Sequence, residues 1–155
     1  MKRNFTMLYS FLLGILFLAA NTTSQAQDLT APYFEINSLR LDENFIVFEN
    51  DFIKISAQKK DYRNDADGIW HERIDFSYEN KTTNALQIEF SRELVYNNKT
   101  YASDANRFKI SLSSKEIKTA NQTIRDKAFY IFSKDHKQTI KTQLTHFQIK
   151  NTIVL

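Results

Sequence analysis

Between residues 70 and 79 the chain alternates with a period of two. Trp70, Glu72, Ile74, Phe76 and Tyr78 fall in one phase, and His71, Arg73, Asp75, Ser77 and Glu79 in the other. Successive side chains of a strand point to opposite faces, so this stretch predicts a strand with one buried and one solvated face. Leu86, Ile88 and Phe90 alternate with Gln87, Glu89 and Ser91, and Phe108, Ile110 and Leu112 repeat the pattern. Apolar-rich runs at Phe45–Phe48, Phe52–Ala57, Ala128–Phe132 and Leu144–Ile149 predict four more short strands. Between them Asn80-Lys81-Thr82-Thr83-Asn84 reads as a turn, since Asn tolerates positive φ. Asn97-Asn98-Lys99 and Lys134-Asp135-His136-Lys137 read as loop tips.

One stretch departs from this rhythm. Ser113-x-x-Glu116 matches a helix capping box, and Ile117, Ala120 and Ile124 stand at helical spacing. One short helix is therefore expected near 113–125, with a polar loop as the alternative. Seven or eight strands at these intervals predict an all-β protein, a single antiparallel β-sandwich of two sheets. No alternating β-α units are present, which argues against a parallel sheet. The expected inward set is Ile74, Phe76, Tyr78, Leu86, Ile88, Phe90, Phe108, Ile110, Phe132 and Ile149.

Residues 1–26 stand apart. Met1-Lys2-Arg3-Asn4 is a short basic start, and the apolar run is densest over Phe11–Ala20. Ser24 and Ala26 supply small residues at the −3 and −1 positions of a signal peptidase site. The apolar run is shorter than the roughly 20 residues of a spanning helix and is interrupted by Thr6, Tyr9 and Ser10. We expect a cleaved signal peptide at 1–26, one sandwich domain over 28–155, and no membrane span after cleavage. The chain has no cysteine, so a lipid anchor on a junction cysteine is chemically excluded. The expected location is the periplasm or the outside of the cell.

Certain motifs resemble a known group. They are Glu49-Asn50-Asp51-Phe52-Ile53-Lys54-Ile55, Asp65-Ala66-Asp67-Gly68-Ile69-Trp70, Glu79-Asn80-Lys81-Thr82, Leu94-Val95-Tyr96-Asn97 and the ending Phe147-Gln148-Ile149-Lys150-Asn151. Over residues 48–155 they resemble small exported immunoglobulin-like sandwich proteins of Gram-negative bacteria with no assigned function. The resemblance implies an immunoglobulin-like fold and an exported protein. It implies no catalytic residue.

Composition narrows the chemistry. The 155 residues carry 21 Lys and Arg against 18 Asp and Glu. Lys2 and Arg3 lie in the signal segment, which has no acid, so the remainder is nearly neutral with interspersed signs. Nothing there favours nucleic acid as a partner. With Gly14 in the signal segment, Gly68 is the single glycine of the domain. Phosphate-cradling loops, the dinucleotide fingerprint and the G-x-S-x-G elbow are thereby excluded. Without cysteine, thiolate metal sites and cysteine nucleophiles are excluded too.

The remaining candidates are weak one by one. Asp61–Gly68 is acid-rich, but as a calcium loop it would put Arg63 and Ile74 where carboxylates are required. A hairpin turn at Asp67-Gly68 is the better reading. Ser56-x-x-Lys59 matches S-x-x-K, but in a strand the two side chains point to opposite faces. His71, His136 and His146 are scattered, and His71 and Asp75 are about 13 Å apart along one strand. Glu72, Asp75, Glu79 and Glu89 read as a solvated sheet face. Trp70, Tyr78 and Tyr130 fit core positions, whereas Tyr62 and Tyr101 sit beside loops where they could bind a carbohydrate or peptide. Asn80, Asn98 and Asn121 begin N-x-[ST] sequons in turn settings that suit exposure.

The sequence therefore assigns no catalytic, cofactor-binding or metal residue and predicts no cofactor. It points to a non-enzymatic binding or interaction module of the bacterial envelope, with a protein or glycan partner. Two other readings stay open: a carrier of an apolar ligand in a barrel or sandwich cavity, and a hydrolase built on carboxylates.

Overall fold

A computed structural model describes residues 30–64, 66, 69–102, 107–121, 124–135 and 143–155. Residues 1–26, where a signal peptide is expected, the loop residues Asp65, Asp67 and Gly68, and His136 lie outside the described residues, as does the side chain of Trp70.

Among the described residues, ten strands form two antiparallel five-stranded sheets. The first holds β1 (Phe34–Glu35), β10 (Leu144–Val154) and β5 (Leu86–Tyr96) in that order. The far side of β5 is shared by β6 (Lys99–Ala102) and β7 (Phe108–Leu112). The second holds β2 (Asn44–Glu49), β3 (Ile53–Asn64) and β4 (Ile69–Asn80), and the far side of β4 is shared by β8 (Ile117–Thr119) and β9 (Tyr130–Asp135). The fold is the all-β sandwich that the alternation predicts. Among the described residues, no helix is long and apolar enough to cross a membrane.

The period-two pattern of β4 decides what is buried. Ile74, Phe76 and Tyr78 are fully buried, facing Lys59, Ala57 and Ile55 of β3 in register. From the other sheet come Ile88, Phe90, Phe147 and Ile149, also fully buried. Their rings bridge the sheets in an unbroken series. Phe147 meets Phe76 edge-on at 5.7 Å, Phe76 lies 6.3 Å from Tyr78, Tyr78 5.7 Å from Phe90, and Phe90 5.4 Å from Phe108. Large side chains of this kind span the roughly 10 Å between facing sheets.

Two expectations about the core are corrected. Phe132 is 40% exposed. Ile131 and Phe132 are neighbours, and alternation lets only one of them point inward. The pairing Ile74↔Ile131 and Arg73↔Phe132 gives the inward place to Ile131. Tyr130 shares the outward phase with Phe132 and is half-buried, not in the core. Phe108 is half-buried against the core, and the other eight expected residues are buried.

The expected helix near 113–125 is also corrected. The capping-box contact does form, with the Ser113 N–H donating to Glu116 Oε2 at 2.6 Å. It closes a turn in which Lys115 has φ 57°, not a helix start. The chain then extends as β8, because the edge of β4 offers unpaired groups: Asn80 N–H donates to Glu116 O, and Ala120 N–H to Phe76 O. Ile117, which stands at helical spacing with Ala120 and Ile124, is exposed.

Turn chemistry is supplied by asparagine. Asn97 and Asn98 have φ 47° and 64°, and they join Tyr96 to Lys99 as a two-residue hairpin loop. Asn80 is buried instead of presenting a sequon at the surface. Its Nδ2 donates to Asn84 O and Ser113 O, and its Oδ1 accepts from Thr82 N and Oγ1. It locks the β4–β5 turn to the β7–β8 turn. Asn98 and Asn121 are exposed.

Candidate functional site on the outer face of the second sheet

The outward phase of β4 carries His71, Arg73, Asp75, Ser77 and Glu79. The sequence predicts that Asp75 is solvated on this face, yet Arg73 and Asp75 are both buried. The cause is the company brought by β3 and β9. The Arg73 guanidinium lies 4.3 Å from the ring centre of Tyr62 and 4.5 Å from that of Tyr130. It forms an ion pair with Asp75 Oδ1 at 2.9 Å and donates to Asn121 O. The Tyr62 hydroxyl donates to Asp75 Oδ2 in a short hydrogen bond. Burial, reinforced by the hydrogen bond to Asp75 and its charge, pushes Tyr62 up to about 12.

His71 extends the cluster. Its ring is 5.7 Å from Tyr62 and 5.6 Å from Phe132. Tyr62, His71, Arg73, Tyr130 and Phe132 thus make a contiguous slab of rings around one guanidinium, on three adjacent strands. A cation over a ring face is drawn by the ring quadrupole, so Arg73 holds Tyr62 and Tyr130 in place.

The same face continues differently toward β2 and β8. Asn44, Ser56, Gln58, Ser77 and Thr119 line a shallow depression of about 30 Å³ that also touches Asp75. Ser77 Oγ and Thr119 Oγ1 are 2.8 Å apart. Lys60 lines it too, and apart from Asp75 and Lys60 the polar groups of this half are hydroxyls and amides.

The other sequence candidates are dispersed. Ser56 lies on this outer face, whereas Lys59 pairs with Glu72 at 3.5 Å on the inner side. Glu72 is buried, contrary to the solvated face predicted for it, and accepts from the Ser133 hydroxyl at 2.9 Å. Tyr101 is exposed on the first sheet and meets Tyr96 edge-on. His146 is opposite Glu35 and Val95 on β10. Among the described residues, no group of three or more His, Asp or Glu could hold a metal ion. A larger cleft of about 400 Å³ lies at the end of the sandwich, open to solvent, lined by Leu86, Leu112, Lys118 and Leu155 among others. There the Lys118 ammonium donates to Ser111 O.

One residue escapes the sequence reading altogether. Arg92 is buried in the core, with Phe76 at 4.5 Å and Phe108 at 4.7 Å from its guanidinium. It donates to Lys127 O at 2.8 Å, Tyr130 O at 3.1 Å, the Tyr78 hydroxyl, and Ala128 O through a short bond. Burial draws its pKa below the ordinary arginine value. Arg92 continues the inward phase set by Leu86, Ile88 and Phe90, and that was the available signal.

No protein-family model, curated protein or solved structure matched this chain.

Proposed function

We propose that this chain is a non-enzymatic binding module of the bacterial envelope, exported by its 1–26 segment, and that the outer face of the second sheet is its binding surface. The observation that carries this reading is the aromatic slab around Arg73. The inner side of β4 already fills the core, so the outer side could have been an ordinary solvated face. Instead it gathers four rings on three strands and leaves Phe132 open to solvent. Contiguous apolar patches on a monomer's surface commonly mark interaction sites.

The alternatives draw less support. A carrier needs a hollow interior, and the ring series from Phe147 to Phe108 fills the space between the sheets. A carboxylate hydrolase needs two acids facing one cleft, and Glu72 and Asp75 point to opposite faces of β4. The immunoglobulin-like resemblance fits a module that presents a surface.

Retention on delipidated envelope material, assayed separately on its protein and polysaccharide fractions, tests the reading. The wild-type protein should bind one fraction, and His71→Ser/Phe132→Ser should lose that binding while melting like the wild type. Equal retention of the double variant would overturn it.

A further inference from the structure

We infer that the occupant of this face is an uncharged glycan strand lying across β3, β4 and β9. The inference rests on the binding-face reading and adds the ligand's chemistry.

Three features of the face select it. The first is charge. Among the described residues of this part of the face, Arg73 is matched by Asp75 at 2.9 Å and Lys54 stands opposite Glu79 in the register, while Lys60 lines the depression beside Asp75. An anionic ligand would meet little unmatched positive charge. The second is the juxtaposition of two surfaces. Rings at Tyr62, His71, Tyr130 and Phe132 adjoin neutral hydrogen-bonding groups at Ser56, Gln58, Ser77 and Thr119. A pyranose ring has the matching pair of properties. Its C–H face suits the electron-rich face of an aromatic ring, and its rim of hydroxyls both donates and accepts, as Ser, Thr and Gln side chains do.

The third is shape. Two common ways in which protein and peptide partners anchor are sinking a large side chain into a pocket and pairing with a sheet edge. The depression beside Asp75 is about 30 Å³, room for about one water and not for an anchoring side chain. The rings and the hydroxyl row project from the sheet face, Tyr62, His71, Ser56, Gln58 and Ser77 on the inner strands and Tyr130, Phe132 and Thr119 on the marginal strands β9 and β8, where the Tyr130 and Phe132 carbonyls already accept from Arg92 and the Tyr96 hydroxyl. A ligand that lies flat and exchanges hydrogen bonds with water-sized recesses fits; an anchored peptide does not. The distance from β3 to β9 is about 10 Å, two strand spacings, so a short run of sugar rings would cover the slab.

Titration of the ¹⁵N-labelled protein with neutral hexasaccharides of glucose, mannose and galactose, and with an oligouronate of equal length, tests the inference. At least one neutral hexasaccharide should shift amides at residues 58–62, 71–77 and 130–132. Phe132→Ala should weaken that binding about tenfold, the loss expected for one ring contact, and Ser77→Ala should weaken it less. Preference for the oligouronate, or silence toward every neutral sugar while the envelope protein fraction shifts these amides, would overturn the glycan and leave the binding face standing. Silence toward sugars and protein fraction alike would overturn both.

Discussion

Two arginines, Arg92 and Arg73, are buried in aromatic surroundings on opposite sides of the second sheet, and they serve different ends. Arg92 comes from the first sheet and spends its protons on the carbonyls of Lys127, Ala128 and Tyr130. It ties the entry of β9 to β5 across the core. Tyr96 adds a parallel tether, its hydroxyl donating to Phe132 O at 2.6 Å, and Tyr78 another to Ala128 O. Arg73 faces outward and spends its charge on Asp75. The carbonyl-bound arginine secures the fold, and the carboxylate-bound arginine organises a surface. Buried arginine is by itself no sign of function; the chemistry of its acceptors and the side of the sheet decide.

The largest effect should come from removing the inner arginine. Arg92→Met leaves backbone carbonyls without their donor and disturbs the packing of Phe76 and Phe108. Each stranded acceptor costs about 1–3 kcal/mol, so a loss of about 4 kcal/mol in urea denaturation is expected. Phe90→Ala should cost a comparable amount, about 3–5 kcal/mol, through lost transfer energy and the cavity left behind.

Removing the outer arginine should cost about 3 kcal/mol, because Asp75 would remain buried without its cation. Here the comparison sharpens. Arg73→Met/Asp75→Asn should recover much of that loss, since the stranded charge goes with its partner, and a double-mutant cycle measures the coupling. No single carboxylate substitution should rescue Arg92→Met in the same way.

The two sites also differ in what sequence alone makes legible. Ile74, Phe76, Tyr78, Ile88 and Phe90 could be placed from alternation because each strand reports its own two faces. Arg92 and Glu72 occupy the inward phase of β5 and β4, so their burial was implicit in the same pattern, but their charge argued against it. Only the acceptors brought to Arg92 by residues 127–130, and the donors brought to Glu72 by Lys59 and Ser133, make those positions tenable. The slab around Arg73 was not legible at all. Its members come from three strands, and their meeting depends on the register Tyr62↔His71 and Arg73↔Phe132. Tyr62 stands out in the sequence because it borders a loop, whereas Tyr130 and Phe132 fit core positions by hydrophobicity although the alternation of β9 gives the inward place to Ile131. The capping box near Ser113 misled for a related reason. Its local contact is real, but pairing with β4 outweighs three positions at helical spacing.

Alkaline titration gives a smaller effect that touches both sites. Tyr62, Tyr78 and Tyr96 are each pushed up to about 12 from an ordinary 10, chiefly by burial. A folded value above the unfolded one contributes stability that is fully present below the unfolded pKa and lost as pH rises through the folded pKa. Stability should therefore hold to about pH 10 and fall toward pH 12, and the tyrosinate absorbance of these three residues should rise near pH 12 instead of near pH 10. Tyr62→Phe should remove the outer contribution and leave the inner one.

The smallest stability effect belongs to the residues that matter most for binding. Phe132→Ser should change stability by less than about 1 kcal/mol, as an exposed substitution. Hydroxyl-radical footprinting of the wild-type protein on envelope material tests the central claim most directly, since it reads aromatic side chains one by one. Tyr62, His71 and Phe132 should be protected when bound, while Tyr101, exposed on the other sheet, should react as it does free. Protection of Tyr101 with unchanged reactivity at Tyr62, His71 and Phe132 would contradict the account.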